Sequence, residues 1–571
     1  MLPGKIPLPR LSVCVRRVWG TAFALLAFAC LLPPPANSQD RSQGRSMVLS
    51  RGGIVAAESP LAAQAGATIL AHGGNAIDAI VAANAVMGVV EPMMNGMGGD
   101  LFVIYWDAKS GKLTGLNASG PAPRGLSAEF LAKQGFQSIP EGIHSVTVPG
   151  AVDGWAKMHE RFGKLPWKDL FQAAIAYAEE GFPVTEDAQR YWAGSAASLR
   201  SQPETARVYL PGGRAPRVGD IFKNPAMGRA LRILADQGRD AFYKGEIASA
   251  ILKTSKSLGG TMTAEDLSAF SAEWVEPIST DYRGWRVYEL PPNGQGIAAL
   301  EMLNIMEAVP AGKGSPYTAD ELHRRIEAMK LAYSDLRYNG DPRFADIPVH
   351  GLLSKDYARK RAAAIDPAKA NCTVAAGTPV FGETTYLTTV DKDGNIASWI
   401  QSLYDYFGSD VTVEGLGFLL HDRGQNFSLT PGSPNLLAGG KRPSHTIIPG
   451  FMENGDQHIG FGIMGGSNQA MAHAQFVSNV VDYGMNVQQA VEAARFRKNG
   501  APGCDVRIEG RVPAAVIRAL NGRGHQVQVV REYDSAVTGR GQAILYNSTT
   551  RAKFGASDPR ADGSAVPEPI R

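Results

Sequence analysis

The sequence predicts a protein of the mixed α/β class, of the α+β type, in which helices and strands are short and closely spaced. Gly-Gly pairs and prolines separate these segments along the chain, and such residues mark turns and the ends of elements. The 571 residues are enough to bury a large core. The serial strand–helix–strand pattern of a parallel sheet is missing around the most glycine-rich motif, which argues against a doubly wound fold.

The first two helices are predicted from the residues at their ends. Ser59-Pro60 combines a preferred N-cap residue with a proline at the first helical position, and Gly73-Gly74 ends that helix. A second helix, rich in alanine, covers roughly residues 76–90. It leads into the glycine-rich loop Asn95-Gly96-Met97-Gly98-Gly99.

A hairpin and a long amphipathic helix come next. Residues 101–106 and 112–117 are predicted to pair around Lys109-Ser110-Gly111. Thr318-Ala319-Asp320-Glu321 has the form of a capping box and starts a helix. One face of this helix is apolar at helical spacing, which indicates core packing rather than a binding surface. The residues on that face are Leu322, Ile326, Met329, Tyr333 and Leu336.

A break in the pattern precedes the most informative stretch of the chain. From residue 366 to residue 383 no hydrophobic period is sustained, and such a segment inside a compact protein is often functional. A strand then starts with the pair Thr384-Thr385, and Lys392-Asp393-Gly394-Asn395 is a tight turn into a second strand. Threonine is a weak nucleophile unless a base lies beside it. Cutting the chain before a threonine supplies that base, because the α-amine becomes free.

Composition and the N-terminal segment narrow the functional class. Basic and acidic residues number 57 and 54, and no arginine-rich tract is present, so nucleic acid is not expected as a partner. Residues 1–38 combine a positive start, an apolar run and a small-x-small site, which is typical of a secretory signal peptide. We therefore expect a periplasmic or secreted protein without a membrane span in its mature form; a signal anchor is the alternative.

Cysteines and known motifs give no sign of a metal or a cofactor. Cys372 and Cys504 lie outside the signal segment, and they either pair or remain as two buried thiols. Motifs of the CxxC, GxSxG, Walker A and HExxH kinds are absent. The GxGxxG match from Gly460 to Gly465 lacks the surrounding βαβ pattern of a nicotinamide site. We predict instead a strand near residues 458–464 and a helix near residues 468–483.

A series of short motifs occurs in order along the chain. They are SPLAAQAGATILAHGGNAID from Ser59 to Asp78, Val89-Val90-Glu91-Pro92 with Gly98-Gly99, VTVPGAVDGWAKMHERF from Val146 to Phe162, Glu327-Ala328-Met329-Lys330-Leu331-Ala332, GLLSKDY from Gly351 to Tyr357, the Thr384 strand, Lys441-Arg442-Pro443, Gly465-Gly466 and Gly555-Ala556-Ser557-Asp558-Pro559-Arg560. With them the chain resembles the γ-glutamyltranspeptidase family of N-terminal-nucleophile hydrolases over nearly all of its mature length. The resemblance implies a four-layer αββα sandwich formed jointly by two subunits.

The resemblance also implies a catalytic apparatus. Autocatalytic cleavage between Glu383 and Thr384 would give a large subunit, residues 39–383, and a small subunit, residues 384–571, which stay together. Thr384 Oγ1 would attack a carbonyl carbon, and the freed α-amine, with an ordinary pKa of about 7.7–8, would take the proton. Ser402 occupies the position that supports the nucleophile's hydroxyl. Gly465-Gly466 match the diglycine whose amides face the developing oxyanion.

The expected pocket departs from the family pattern where the substrate's α-carboxylate binds. The family's arginine falls near Ser119 in this chain, and the serine pair after Lys-Arg-Pro is replaced by His445 and Thr446. These replacements remove the cation and one of the two hydroxyl groups of the family's carboxylate clamp, and Thr446 keeps the other hydroxyl. The resemblance thus places a substrate pocket at these residues but leaves its chemistry open.

The positions that bind the substrate's α-amine depart as well. The family's aspartate falls on Asn426, a nearby glutamine becomes Arg423, and an asparagine beyond Ser402 becomes Tyr404. An ammonium group needs an anion, and Asn426 offers a neutral amide. Arg423, by contrast, could bind a carboxylate from a different side of the pocket. We hypothesise an acyl group with a terminal carboxylate but no α-amine, such as glutaryl.

Three functions therefore remain in consideration. The family default is γ-glutamyl hydrolysis or transfer of the glutathione hydrolase type, with a small amide as substrate. The alternative is an acylase similar to the branch that contains cephalosporin acylases. A third reading is a non-catalytic exported binding protein on the same scaffold, which an uncut chain on a denaturing gel would favour.

Overall fold

The structure, a computed structural model, describes residues 43–375 and 383–570. The predicted signal peptide and residues 376–382 of the irregular segment lie outside the described residues. From Arg45 onward the described chain forms one unit. Within this part, every helix is too short or too polar to cross a membrane.

Helices account for much of the first two thirds of the described chain. In chain order they are α1 (Pro60–Ala71), α2 (Ala76–Val90), α3 (Ala128–Lys133), α4 (Ala151–Phe162), α5 (Gln172–Glu180), α6 (Glu186–Leu199), α7 (Pro203–Tyr209), α8 (Pro225–Gln237), α9 (Arg239–Tyr243), α10 (Glu246–Ser257), α11 (Ala264–Ser268), α12 (Gly296–Glu307), α13 (Ala319–Asp335), α14 (Val349–Leu352), α15 (Lys355–Ala362), α16 (Asn468–Tyr483), α17 (Val487–Glu492), α18 (Ala514–Gly522) and α19 (Ser535–Thr538). Short 3₁₀ turns cover Ile143–Ser145, Trp167–Phe171, Pro211–Gly213, Leu336–Tyr338 and Arg423–Asn426.

The strands are concentrated around the predicted threonine strand and in the last third of the chain. In chain order they are β1 (Val48–Ser50), β2 (Ile54–Ala57), β3 (Asp100–Asp107), β4 (Lys112–Ala118), β5 (Phe182–Pro183), β6 (Ile221–Phe222), β7 (Glu273–Val275), β8 (Ile278–Tyr282), β9 (Trp285–Glu289), β10 (Glu383–Val390), β11 (Ile396–Tyr404), β12 (Gly450–Asn454), β13 (Gln457–Ile463), β14 (Phe496–Arg497), β15 (Asp505–Glu509), β16 (Gln526–Val530), β17 (Gly541–Asn547), β18 (Lys553–Ser557) and β19 (Ser564–Pro567).

Two seven-stranded antiparallel sheets form the centre of the fold. One has the order β1-β18-β17-β13-β12-β9-β8, and the other has the order β19-β2-β10-β11-β3-β4-β7. Each sheet takes strands from both sides of the predicted cleavage site, so neither predicted subunit can complete a sheet alone. Because β13 pairs antiparallel with β12 and β17, the GxGxxG motif lies outside any βαβ unit, as predicted.

Apolar side chains between and outside the sheets establish a four-layer αββα arrangement. Phe102 and Ile104 from one sheet pack with Phe451 and Ile544 from the other in a core between them. A second core joins α2 to the outer face of the β10-containing sheet. A third core joins α12, α13 and α16 to the outer face of the β13-containing sheet. The predicted layer order is therefore confirmed.

Most predicted elements occur within a residue or two of their expected ends, but the capping box predicted at Thr318 was wrong. Ser59 is the N-cap residue of α1 and Pro60 follows it, as predicted, although the Ser59 side chain makes no capping hydrogen bond. Thr318 does cap α13 by accepting from the Glu321 amide at 3.2 Å. Glu321 does not return the capping-box bond, because its carboxylate binds Arg324 and Arg325 within the helix. Charge pairing there outweighs the local motif.

A disulfide holds the described part of the irregular segment. Cys372 and Cys504 are bonded, with Cα atoms 5.0 Å apart, which decides the alternative that the sequence left open. Two backbone hydrogen bonds hold the same stretch, from Gly503 to Cys372 and from Ala370 to Arg523. The last described part of the predicted large subunit is therefore attached to the predicted small subunit.

Candidate active site

The side chain of Thr384 is buried in the second residue of β10. Register in the β10–β11 hairpin shifts between Glu383, which pairs with Tyr404, and Thr385, which pairs with Gln401. Such an irregularity redirects the side chain beside it, and bulges of this kind are common at active sites. The Thr384 hydroxyl donates to Ser402 Oγ at 3.3 Å, and Ser402 Oγ accepts the Tyr404 amide at 2.7 Å. The structure thus brings the predicted nucleophile and its predicted supporting serine together.

Gln469 is a second partner of the nucleophile, and sequence reasoning missed it. Its Nε2 donates to Thr384 Oγ1 at 3.3 Å, while its Oε1 accepts the Ile448 amide at 3.1 Å. Gln469 lies in the first turn of α16, directly after the diglycine. A polar residue at the start of a helix that follows Gly465-Gly466 was a signal available in the sequence.

The diglycine has the backbone freedom that its predicted role needs. Gly465 and Gly466 have φ values of +126° and +59°, in the region where residues with a Cβ are strained. Their carbonyls accept the amides of Asn468 and Gln469, which fixes the loop against α16. Neither glycine amide donates to an acceptor among the described residues. Two adjacent free N–H groups near Gln469 suit an oxyanion site.

Arg423 and Thr446, both predicted to bind substrate, contact each other. Arg423 Nη1 donates to Thr446 Oγ1 at 2.8 Å, and the guanidinium lies 4.5 Å from the centre of the Tyr404 ring. Gln295 Nε2 donates to the carbonyls of both Thr446 and Gly466, at 2.6 and 2.8 Å. These contacts connect the predicted substrate residues to the diglycine. The Arg423 side chain is fully buried, and Nη2 has no partner among the described residues.

Asp100 connects this arginine to the histidine predicted at the pocket. Asp100 Oδ2 accepts from Arg423 Nε at 3.0 Å and from His445 Nε2 at 3.0 Å. Burial alone would raise the pKa of Asp100, but contacts with His421 and His445 outweigh it and hold the pKa well below its ordinary value. Burial and the charge of Arg423 lower the pKa of His445 to about 3, so its imidazole is neutral. The motif search had not identified Asp100 or His421.

Asn426 shares a 3₁₀ turn with Arg423, and Tyr404 packs against the Arg423 guanidinium. Asn426 is 4% exposed, and neither its Nδ2 nor its Oδ1 has a hydrogen-bond partner among the described residues. An unpaired buried amide costs free energy, and function is one reason for its retention. Tyr404 has a φ of +82°, which is unusual for a residue with a large side chain and marks this end of β11 as strained.

Ser119 lies in an adjoining network rather than beside Arg423. Its hydroxyl accepts from Asn293 Nδ2 at 3.2 Å, and its carbonyl accepts from Arg442 Nε at 2.8 Å. Asn293 in turn accepts the His445 amide through its carbonyl at 2.8 Å. Ser119 is therefore two contacts away from the Asp100 network, on the side of His445.

Comparisons with known proteins identify the family of this chain. The sequence profile of the family described as gamma-glutamyltranspeptidase matches residues 62–568. The chain belongs to the γ-glutamyltranspeptidase family. Within this family it is 38% identical over 517 residues to the glutathione hydrolase-like YwrD proenzyme of Bacillus subtilis, covering 89% of this chain and 96% of the relative.

Two further relatives of this family member carry other activities in their names. The oxamate amidohydrolase proenzyme of Klebsiella pneumoniae is 34% identical over 531 residues, covering 91% of this chain and 99% of the relative. The crystal structure of cephalosporin acylase from Bacillus halodurans matches with a TM-score of 0.88 and 41% identity, covering 95% of this chain and all of that chain. The family and its hydrolase character are thus established, and the acyl group remains to be assigned from the pocket.

Proposed function

We propose that this family member is an exported, self-processing threonine amidohydrolase that acts on amides whose acyl group carries a second, free carboxylate. The supporting observation is Arg423 Nη2, a buried cationic donor without a partner among the described residues, beside the unpaired amide of Asn426. Together they offer N–H donors to a carboxylate. The name of the oxamate amidohydrolase relative supports this choice, because oxamate is the monoamide of a dicarboxylic acid.

Self-processing begins at the bond before Thr384. Its Oγ1 attacks the carbonyl carbon of Glu383, the C–N bond between the two residues breaks, and an ester forms. Water then hydrolyses the ester, which releases the carboxylate of Glu383 and the α-amine of Thr384. The names of the relatives as proenzymes support such a step. In the precursor the Ser402 and Gln469 contacts already orient the hydroxyl.

Turnover repeats the same chemistry on a substrate. The free α-amine accepts the hydroxyl proton as Oγ1 attacks the substrate carbonyl, and the Gly465 and Gly466 amides bind the oxyanion. The leaving amine takes the proton, and water hydrolyses the acyl ester. A γ-glutamyl donor carries an additional α-ammonium, which would meet the Arg423 guanidinium and the neutral amide of Asn426. We therefore rank acyl groups without an α-amine above the γ-glutamyl group.

The test of the nucleophile is the variant Thr384→Ala. It is expected to remain a single chain on a denaturing reducing gel and to turn over no amide substrate, because both steps need Oγ1. Thr373→Ala removes an exposed threonine upstream of the cut and is the matched control, expected to cleave and turn over normally. Cleavage of Thr384→Ala at the same bond would contradict the proposal.

The test of the acyl group compares glutaryl and γ-glutamyl anilides. We expect the wild type to prefer the glutaryl substrate, and Arg423→Gln to raise KM for it roughly tenfold to a hundredfold. That range corresponds to the loss of a hydrogen bond to a charged group. Arg423→Gln with Asn426→Asp restores the family residues and should shift preference toward γ-glutamyl. A wild type that prefers the γ-glutamyl anilide would refute the acyl assignment while leaving the nucleophile assignment intact.

A further inference from the structure

The Asp100 carboxylate receives three side-chain donors on one oxygen. His421 Nδ1, His445 Nε2 and Arg423 Nε all lie 2.9 to 3.0 Å from Oδ2. The other oxygen, Oδ1, accepts only the Gly120 amide, at 3.3 Å, among the described residues. Asp100, His421 and Arg423 are fully buried. Arg423 binds Asp100 through Nε alone and not as a bidentate fork, so Nη2 remains available.

The two histidines on Asp100 have different hydrogen-bond surroundings. His445 faces one acceptor, Asp100, and one donor, the Ile447 amide at 3.4 Å from Nδ1, which a neutral imidazole satisfies. His421 faces an acceptor at each nitrogen, because Nε2 lies 2.9 Å from the Thr147 carbonyl. The Thr147 hydroxyl, 3.2 Å from Nε2, is able to donate to it, but the Thr147 carbonyl is closer and can only accept. Donation to both Asp100 and the carbonyl requires protons on both nitrogens, which is the imidazolium form.

A charged His421 changes the net charge of the buried side chains around Arg423 Nη2. Asp100 then stands between two cations, His421 and Arg423, with the neutral His445 beside them. The four side chains Asp100, His421, His445 and Arg423 then carry one net positive charge between them. The Asp405 and Asp422 carboxyls also lie within electrostatic range of Arg423, and burial raises the pKa of both, which shifts them toward their uncharged forms. With a neutral His421, Asp100 would neutralise Arg423 alone, and the group would have no net charge to offer a carboxylate.

We propose that His421 is a specificity-determining positioning residue. Through Asp100 it leaves the Arg423 charge available for the carboxylate of the substrate. His421 does not touch the substrate in this assignment; it acts through the carboxylate that it shares with Arg423. The inference rests on the proposed function, because it needs Arg423 to bind a carboxylate. The proposed function assigns the carboxylate contact to Arg423, and the inference adds Asp100 and His421 as the buried residues that set the charge around it.

The test compares His421→Gln with wild type on two anilides of similar length, glutaryl and butyryl, the second of which has no carboxylate. Glutamine can donate to Asp100 but carries no charge. We expect KM for the glutaryl anilide to rise about tenfold in this variant. KM for the butyryl anilide, kcat and self-cleavage should stay within threefold of wild type. If His421 had a purely structural role, the substitution would change KM for both anilides by the same factor.

A second buried histidine provides the matched control. His473 donates to the Glu289 carboxylate at 2.7 Å and accepts the Ile463 amide at 3.1 Å, so its surroundings suit a neutral ring. His473→Gln should leave the ratio of the two KM values unchanged. The inference would be overturned if His421→Gln changed KM equally for both substrates or changed neither KM. It would also be overturned if His473→Gln changed the ratio of the two KM values as much as His421→Gln.

Two further outcomes separate the inference from the proposed function. If His421→Gln does not cleave itself, His421→Asn is measured by the same ratio. Loss of folding in both variants would assign His421 to core stability and overturn the inference. A wild type that does not prefer the glutaryl over the butyryl anilide would instead refute the carboxylate site itself, and the inference with it.

Discussion

At the scale of single residues, the site depends on a few groups whose backbone is held in uncommon conformations. Thr384 lies at a register shift, Tyr404 has a positive φ, and Gly465 and Gly466 both have positive φ values. Local strain of this kind persists where surrounding contacts impose it, and it is concentrated at functional sites. Here those contacts come from Ser402 and from the start of α16.

Gly465→Ala should separate the oxyanion role from general stability. An ideal Cβ at this position meets Gly539 Cα at 3.3 Å and imposes a side chain on a φ of +126°. The loop must shift, so we expect kcat to fall about 10²- to 10³-fold, the usual result of losing one oxyanion donor. The fall is measured as single-turnover and steady-state rates on the glutaryl anilide, with self-cleavage followed on gels.

The control for this substitution is Gly484→Ala, at the C-terminal end of α16. Gly484 has a φ of +61° and nothing lies within 4 Å of an added Cβ. Alanine in that conformation costs about 1–2 kcal/mol of stability but touches no part of the site. Normal turnover by Gly484→Ala alongside weak turnover by Gly465→Ala is expected. Equal activity in the two variants would contradict an oxyanion role.

Sequence reasoning predicted a set of reacting residues but missed the side chains around them. Thr384, Ser402 and the diglycine follow from a chemical requirement and an ordered set of motifs, and the structure places Ser402 and Thr384 in contact. Asp100 and His421 were missed because they are 321 positions apart in the chain and have no local pattern. The pairing of β3 with β11 sets Asp100 opposite Ser402, and a bridge between Gly98 and Leu420 brings the neighbouring His421 to Asp100.

At the scale of elements, the helix α13 shows how charges can be buried without a binding role. Glu321 is fully buried and accepts from Arg324 Nη2 at 2.7 Å and from Arg325 Nε at 2.5 Å. Asp482 from α16 pairs with Arg324 as well, at 3.2 Å. This ionic group joins the two helices that cover the β13-containing sheet.

Glu321 should contribute to acid sensitivity. Burial alone would raise its pKa, but Arg325 and Arg324 outweigh it and lower the pKa to about 2, below the ordinary 4.5. A carboxyl group whose pKa is lower in the folded than in the unfolded state stabilises the folded protein fully at pH values above its unfolded pKa. That stability, on the order of 3 kcal/mol, is lost as pH falls from about 4.5 to about 2. Glu321→Gln should therefore show a smaller drop in Tm over this range than wild type.

Glu265→Gln is the control for the acid titration. Its carboxylate belongs to α11, and the side chain is 77% exposed. We expect its Tm to fall with pH as in wild type, as followed by calorimetry between pH 6 and pH 2. If the Tm of Glu321→Gln fell over this pH range as far as the Tm of wild type and of Glu265→Gln, the assignment of acid sensitivity to the α13 ion pairs would be wrong.

At the scale of the whole molecule, the predicted cut falls inside a structure that both fragments complete. The cut falls after the first residue of β10, and in the sheet β10 pairs with β2 while β11 pairs with β3, so that both hairpin strands of the small fragment adjoin strands of the large fragment. The Cys372–Cys504 bond joins the two fragments covalently. Cys372 lies 11 residues before Glu383, the last residue of the large fragment. We therefore expect the fragments to stay together after cleavage.

Gel electrophoresis tests this expectation directly. The processed protein should run as one band without reducing agent and as two bands with it, corresponding to residues 39–383 and 384–571. Cys504→Ser should give two bands in both conditions and should still cleave, because the thiol takes no part in the chemistry. Two bands from the wild type without reducing agent would contradict the disulfide.

By itself, the sequence determined the fold class, most element boundaries and the family, and it predicted Thr384 as the nucleophile. These follow from local signals, because turn residues, hydrophobic periods and ordered motifs are written in neighbouring positions. Only the tertiary structure decided which side chains surround that residue. The disulfide, the Gln469 contact and the group of Asp100, His421, Arg423 and His445 join distant parts of the chain. Their chemistry depends on burial and distance, which no local pattern records.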